Sequence, residues 1–474
     1  MNHCLVIIIT LIVIILICCL LCNKNIPKNV NPSKKIIVDP SLISDRNDID
    51  QDDNAQSPES PTCDRVTAQY GQDIPIFSSL PPIYVHHLSA DGTVLTYVDR
   101  TSASSSYEPR VYEFDGSLWA PKGDQLELIA SLPGSSPRVN DSLCFLSDDG
   151  NTLVISTLYS PDFPTPGLFE TAYVMDYVGG SWIQRGQNLT APGNPEVGQG
   201  GTSTSNQVTL TPDGNTLVVV WDSDIVANGP NYDVDMTAEV YDWNSGLNQW
   251  VIRGTPQLII EYTMVGPSST PVIEPWEVSI SGDGNTFIVS EAATFLLADP
   301  GSRISTSRVF QWTGTEWIRR GQDLIAETLP SEFLPGFSNL PPRSANITTD
   351  GNTVFNGTVH DWDETNNIWV DRPRAPNYWN AQSDLVRRYD ASMSYDGKFV
   401  ASTYLDPSSP TGFYFEIYEW KESLGEWVLC FTESNFLAFG CPFSRDGNHF
   451  MLYGAEAFVG VPTVYAIRTF TFTE

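Results

Sequence analysis

The sequence predicts an all-β chain that folds as a seven-bladed β-propeller of four-stranded blades. The first observation is a motif that occurs seven times: an apolar residue, a hydroxyl residue, any residue, then Asp-Gly and a short apolar run, as in residues 280–289. The second is an aromatic pair that follows most copies of the motif. The third is a composition rich in Thr, Val, Tyr, Phe and Trp, which favour strands. One Asp-Gly would be an ordinary turn, whereas seven in a shared frame indicate a repeat.

Each copy of the motif predicts a strand, a tight turn and a second strand. Gly adopts a positive φ without penalty, and an Asp side chain bonds its own backbone in such turns. The seven acidic residues are Asp91, Asp149, Asp213, Asp283, Asp350, Asp396 and Asp446. Their spacing is too long for one hairpin and fits a four-stranded unit with one variable loop.

The aromatic pairs predict the second half of each unit. The two members are five residues apart in Phe114/Trp119, Tyr177/Trp182 and Trp312/Trp317, and seven apart in Trp243/Trp250, Trp362/Trp369 and Trp420/Trp427. Because five and seven differ by two, a longer turn leaves both rings on the same face of a hairpin. We therefore expect cross-strand packing pairs. A platform on which a ligand stacks is the alternative.

The two ends of the chain predict how the ring closes. The last repeat ends without a Trp-led fourth strand, while residues 67–74 resemble residues 317–324 and 182–189. We expect this N-terminal segment to be the outermost strand of blade seven, closing the ring by strand exchange. The propeller would then span residues 63–474.

Charge excludes one class of partner. The chain of 474 residues has 25 Lys plus Arg against 57 Asp plus Glu, a net charge of −32. Such an acidic chain repels phosphate backbones, so we expect no nucleic-acid partner.

The N-terminal region predicts a membrane tether. Residues 5–22 contain no charged side chain and are long enough to cross a bilayer core, so residues 1–23 are expected to be a transmembrane signal-anchor segment. Residues 24–62 have the composition of a disordered acidic stalk. The following Lys24, Lys28, Lys34 and Lys35 favour a cytosolic body. Four N-glycosylation sequons favour an extracellular or lumenal body, at Asn140, Asn188, Asn346 and Asn356. We expect a single-pass protein with its body outside, or a secreted one if the segment is cleaved.

The cysteines and acidic residues predict no metal, cofactor or catalytic site. The body cysteines show no zinc-ligand spacing; Cys430 and Cys441 form a candidate disulfide, with buried thiols as the alternative. The series Asp48, Asp50, Asp52 and Glu59 matches part of a calcium loop but lacks its central Gly, so a solvated linker is expected. Six loop acids could still converge on the central opening, as in a hydrolase: Asp222, Asp224, Asp233, Asp235, Asp361 and Asp363.

These repeats resemble those of a known class of propeller. The series Ser-x-Asp-Gly-Asn-Thr, then Val-Tyr-x-Trp and Trp-Ile-x-x-Gly-Gln, is similar to FG-GAP-like, integrin-α-type repeats over residues 64–474. Residues 211–214 also look like the turn of WD40-like, TolB-type repeats. The resemblance implies a binding or adhesion role, although the calcium loop of integrin-type blades is absent. The predicted function is a membrane-tethered propeller that presents a surface for protein or glycan recognition, without enzymatic activity. The alternatives are a glycan- or peptide-acting hydrolase and a structural surface protein without a specific ligand.

Overall fold

The computed structural model describes Cys63 and residues 65–76, 87–100, 107–124, 138–160, 169–190, 207–228, 231–265, 273–294, 303–328, 345–373, 387–405, 413–434, 436–456 and 464–473. All of them belong to one compact unit, Pro61–Glu474. Within this part of the chain no helix is long and apolar enough to cross a bilayer. The predicted anchor, the stalk and the calcium-like acidic series lie outside the described residues.

The described residues form only strands, turns and connections, and the strands build seven antiparallel sheets, so the chain is a seven-bladed β-propeller. The first two strands are β1 (Val66–Gln69) and β2 (Ile74–Ile76). Blade one contains β3 (His87–Leu88), β4 (Val94–Arg100), β5 (Tyr107–Phe114) and β6 (Trp119–Pro121). Blade two contains β7 (Arg138–Leu146), β8 (Thr152–Ser160), β9 (Phe169–Val178), β10 (Ser181–Gln184) and β11 (Leu189–Thr190). Blade three contains β12 (Gln207–Leu210), β13 (Thr216–Asn228), β14 (Asn231–Asn244), β15 (Gln249–Ile252) and β16 (Gln257–Val265).

The remaining blades follow the same order. Blade four contains β17 (Ile273–Ile280), β18 (Thr286–Thr294), β19 (Arg303–Trp312), β20 (Trp317–Arg319) and β21 (Leu324–Thr328). Blade five contains β22 (Asn346–Ile347), β23 (Thr353–Phe355), β24 (Val359–Asp363) and β25 (Ile368–Asp371). Blade six contains β26 (Arg387–Met393), β27 (Phe399–Leu405), β28 (Phe413–Lys421) and β29 (Glu426–Glu433). Blade seven contains β30 (Phe436–Gly440), β31 (His449–Glu456) and β32 (Val464–Thr473), together with β1 and β2.

The core lies between the blades. One cluster joins Val218 and Val220 of blade three to Val278, Ile280 and other apolar residues of blade four, and six further clusters are built in the same manner. The first strands of neighbouring blades contact one another, as β7 does β12 and β12 does β17, so they surround the axis. An isolated blade would expose these faces to water, and radial stacking buries them.

The Asp-Gly turns have one geometry in all seven blades. In blade four the Ser281 hydroxyl donates to Asp283 Oδ1 at 2.6 Å, the Asn285 N–H donates to the same oxygen at 2.9 Å, and the Thr286 N–H donates to Ser281 Oγ at 3.0 Å. The glycine after each Asp has φ between 63° and 73°, which explains the fixed Asp-Gly order. The predicted strand, turn and strand are confirmed.

Alternating strand directions give the propeller two different faces. The first strand of each blade ends at its Asp-Gly turn, and the third strand ends at another tight turn on the same side, which we call the turn face. The connections from second to third strand, and from each blade to the next, therefore leave from the opposite side, which we call the loop face. The longest connections are here; for example, β21 ends at Thr328 and β22 begins at Asn346.

The N-terminal segment pairs with the last strand of the chain. Val66 to Gln69 run antiparallel to Thr473 to Phe470, and β2 continues along the same strand. The predicted single strand is thus two short ones, separated at Gly71, whose φ is 70°. The fourth strands of blades two, three and four show the same break. The predicted membership of this segment in blade seven agrees with this pairing.

Candidate functional site

The recurring Trp-led strands form a joint between blades, which we call the clasp. In blade two, Arg185 donates to the Gly214 carbonyl of blade three at 2.9 Å, and its guanidinium carbon lies 4.5 Å from the Trp243 ring centroid. Gln187 accepts from the Trp250 N–H at 3.0 Å and donates to the Trp250 carbonyl at 2.7 Å. The end of one blade therefore holds both the Asp-Gly turn and the aromatic pair of the next.

The clasp recurs around the ring with few changes. The guanidinium that reaches the next turn is supplied by Arg253, Arg320 and Arg372 at later joints. At the joint between blades seven and one, the Tyr70 hydroxyl takes its place and donates to the Gly92 carbonyl at 2.7 Å. Gln72 makes the paired contacts with the Trp119 N–H and carbonyl, both at 2.9 Å. The six aromatic pairs are cross-strand partners with ring centroids 5.0 to 5.3 Å apart, so they serve packing between and within blades.

A second group of side chains crosses the axis on the turn face, and we call it the axial cluster: His87, Asp148, Tyr395 and Arg445. Arg445 extends from blade seven, and its Nε lies 2.8 Å from Asp148 Oδ1 of blade two. Its guanidinium carbon lies 4.5 Å from the centroid of the Tyr395 ring of blade six, and its Nη2 donates to the Leu210 carbonyl of blade three at 3.2 Å. The Tyr395 hydroxyl is 3.1 Å from His87 Nε2 of blade one.

The electrostatics of the axial cluster are those of a buried structural network. Burial, then the nearby Arg445 cation, lowers the pKa of His87 to about 3, so the imidazole is neutral at physiological pH. Its Nδ1 accepts from the Leu146 N–H at 3.4 Å, which leaves the proton on Nε2 to donate to Tyr395. Burial raises the pKa of Asp148, and Arg445 opposes that rise. Because Arg445 has only 8% of its surface exposed, its charge bridges blades rather than meeting solvent.

The carboxylates of the Asp-Gly turns likewise accept hydrogen bonds from donors close to them in the sequence. Burial acts to raise the pKa of Asp446, but bonds from His449, Ser444 and Asn448 outweigh it and lower the pKa to about 2. The pKa values of five other turn acids are also lowered, by hydroxyl and backbone donors that outweigh burial: Asp91, Asp149, Asp213, Asp283 and Asp350. These groups are fixed anions with a structural task.

The six candidate acids of the hydrolase alternative fall into two separate blades. Asp222, Asp224, Asp233 and Asp235 lie on β13 and β14 of blade three, while Asp361 and Asp363 lie on β24 of blade five. Asp361 Oδ2 lies 2.6 Å from Arg372 Nε and belongs to a clasp. Asp363 is an exposed turn acid, whose pKa is lowered by the Asn366 side chain and backbone donors.

The predicted modification sites have different environments. Asn188 is exposed, the side chain of Asn140 lies outside the description, and Asn346 accepts from the Met393 N–H at 3.0 Å. Asn356 is 1% exposed, and its side-chain Oδ1 accepts from the Thr358 N–H at 3.3 Å. A glycan on Asn356 would have to displace this packing, and glycosylation of the four sequons stays a prediction.

The predicted disulfide between Cys430 and Cys441 is wrong. Cys430 is bonded to Cys63, a partner 367 residues away in sequence. Cys441 is instead a buried thiol in the core between blades six and seven. Sequence spacing favoured the near neighbour, whereas the ring brings the N-terminal segment back beside β29. Among the described residues, the one group with metal-ligand proximity is Cys63, Glu419 and Cys430, and its two sulfurs are joined to each other.

Comparisons with known proteins find likenesses among solved structures only. No protein-family description and no curated protein sequence matches the chain. Among solved structures it is similar to hydrazine synthase from Kuenenia stuttgartiensis, with 14% identity over 84% of this chain and 99% of that one and a TM-score of 0.44. It is similar to a putative 6-phosphogluconolactonase from Bacteroides fragilis, with 13% identity, 78% and 95% coverage and a TM-score of 0.42. A third is the Swd1 β-propeller domain from Myceliophteria thermophila, with 9% identity, 85% and 98% coverage and a TM-score of 0.40.

Sequence reasoning missed the clasp and the axial cluster. A signal for the clasp was present, because a basic residue precedes Gly in Arg185, Arg253 and Arg320. The axial cluster had no such signal. Its members occupy positions of the repeat at which the residue type changes from blade to blade. They come together only because the blades form a ring.

Proposed function

We propose that this chain is a binding propeller whose loop face recognises a protein or glycan ligand. The observation that carries the proposal is that the protein's own side chains already occupy the polar groups of the turn face. There, the axis is spanned by the axial cluster, and the described turns use their own carboxylates and hydroxyls. The connections long enough to vary without disturbing the blades leave from the loop face, and such connections commonly carry recognition in rigid scaffolds.

Three titratable side chains support binding over catalysis. His87 is neutral and buried, Asp148 is paired with Arg445, and Asp361 is paired with Arg372 in a clasp. A general acid or base must reach a substrate proton, whereas the imidazole is buried and both carboxylates are held by guanidinium groups. The net charge of −32 favours a neutral or basic partner over a nucleic acid.

We further propose that β1 and β2 close the ring and that the body lies outside the cell or in a lumen, tethered through residues 5–22. Closure is supported by the pairing of β1 with β32 and by the clasp contacts of Tyr70 and Gln72 with blade one. The location is supported by the Cys63–Cys430 disulfide, a bond typical of oxidising compartments.

The test is to label the two faces separately. The chain is screened on a printed glycan array and on an array of purified ectodomains, and parallel samples are assayed for glycan and peptide hydrolysis. Thr190→Cys and Thr432→Cys, exposed on fourth strands near the loop face, are coupled to a bulky polyethylene glycol; Glu422→Cys on the turn face is the matched control.

We expect coupling at the first two positions to abolish binding and coupling at Glu422 to leave it intact. Binding blocked from the turn face would contradict the assigned surface. Turnover of a glycan or peptide would favour the hydrolase alternative, and no binding on either array would favour a structural role.

A further inference from the structure

The Cys63–Cys430 disulfide joins the N-terminal segment to a different blade from the one it completes. Cys63 precedes β1, which pairs in blade seven, whereas Cys430 lies in β29, the fourth strand of blade six. The polypeptide therefore meets a covalent attachment to blade six before it enters the strand pairing with β32 in blade seven.

Arg65 reinforces this attachment across the same two blades. Its guanidinium carbon lies 5.0 Å from the Phe399 ring centroid of blade six and 5.9 Å from the Phe472 ring centroid of blade seven. Its Nε is 3.7 Å from Glu419, which also contacts Lys421 at 2.9 Å. These contacts hold Arg65 against side chains of both blades.

Without the disulfide, the weakest point under tension would be β1. Val66 lies opposite Thr473 at the end of an antiparallel pair, so a pull on the preceding chain would separate one pair at a time. Loss of β1 and β2 would also remove Tyr70 from the Gly92 carbonyl and Gln72 from Trp119, the joint between blades seven and one. With the disulfide, the same pull passes to β29, which pairs with β28 from Phe415 to Lys421.

We propose that the Cys63–Cys430 disulfide is a tension latch that keeps the propeller ring closed when the chain preceding Cys63 is pulled. This inference rests on the proposed closure of the ring by β1 and β2 and on the use of the N-terminal region as a tether. A ligand bound on the body would then load blade six rather than the closing strand, and a reducing environment would convert a closed ring into one that opens under load.

The experiment pulls the full chain between handles at its two termini in optical tweezers. It compares the oxidised chain, the same chain in reductant, and the variant Cys63→Ser/Cys430→Ser, with Cys144→Ser as the control for loss of a buried cysteine. We expect the double variant and the reduced chain to show an early extension step of at most about 45 Å, the fully stretched length of residues 64–76. The oxidised chain and the Cys144→Ser control should show no such step.

Amide hydrogen exchange without load separates this inference from ring closure. We expect β1 amides to be protected in the oxidised chain and in the double variant, because strand pairing does not need the disulfide. Fast exchange of β1 in the oxidised chain would overturn ring closure itself. Protected amides together with identical force curves in all four samples would overturn the latch and leave closure standing.

Discussion

Replacing Arg445 by Met tests whether the axial cluster holds the blades together. Removing one member of a fully buried ion pair costs about 3–5 kcal/mol. The Asp148 side chain keeps 32% of its surface exposed, so solvent screening reduces this to about 2 kcal/mol. The lost bond to the Leu210 carbonyl, which is 3.2 Å long, adds about 1 kcal/mol. Met retains much of the side-chain volume over Tyr395, so little packing is lost. We therefore expect the free energy of unfolding to fall by about 3 kcal/mol in total.

A double-mutant cycle with Asp148→Asn isolates the pair. If the two charges stabilise each other across the axis, the combined variant should lose less than the sum of the single variants, by about 1–3 kcal/mol. Urea unfolding followed by tryptophan fluorescence measures each free energy of unfolding. Arg319→Met, which removes an exposed ion pair with Asp323, is the control and should cost under about 1 kcal/mol.

The pH dependence of the Arg445→Met deficit has a defined sign. Burial already raises the pKa of Asp148, and loss of Arg445 raises it further, because the cation was the opposing influence. The folded variant then binds a proton that its unfolded form releases, so its deficit relative to wild type shrinks as the pH falls through the raised pKa toward the ordinary carboxyl pKa. A coupling energy near zero, or a deficit that grows on acidification, would refute the assignment of the pair.

Three further predictions concern the turns and the clasp. Gly92→Ala would place a Cβ 2.4 Å from a histidine ring atom of blade seven at a φ of 70°, and should destabilise by about 2–4 kcal/mol in urea melts. Gly425→Ala has a similar φ with open space around it and should cost only about 1 kcal/mol; equal costs would contradict the packing argument. The pKa values of six turn acids are lowered, that of Asp446 to about 2, so stability should be fully present above the usual carboxyl pKa and fall as the pH drops toward 2, as measured by circular dichroism. Gln187→Ala removes two bonds to the next blade and should cost about 1–3 kcal/mol, whereas unchanged stability would show the clasp to be incidental.

The fold could be predicted because its determinants are local and repeated. An Asp-Gly turn and an aromatic pair are each specified within a few residues, so seven copies report seven blades directly. The likeness of residues 67–74 to other fourth strands also located the N-terminal segment. The break at Gly71 was not predicted, because the glycine reads as part of one strand until its packing against the neighbouring Trp119 is known.

The contents of the axis could not be predicted, because they depend on the ring as a whole. Arg445, Tyr395 and Asp148 occupy the unspecified position of the repeat, where other blades carry Ala90 or Gly282. Nothing in one repeat indicates that three of seven variable positions meet. Cys63 posed the same difficulty, since its partner follows 367 residues later.

The clasp has one further consequence. At the joints that the clasp makes, the end of one blade acts on the start of the next, and Tyr70, Gly71 and Gln72 provide this end for blade seven although they precede blade one in the chain. The propeller thus starts partway through a structural unit. A circular permutant that starts at β3 and carries residues 65–76 after Thr473 would contain seven whole units in series. It should reach the same fold, with its two chain ends lying between two complete blades.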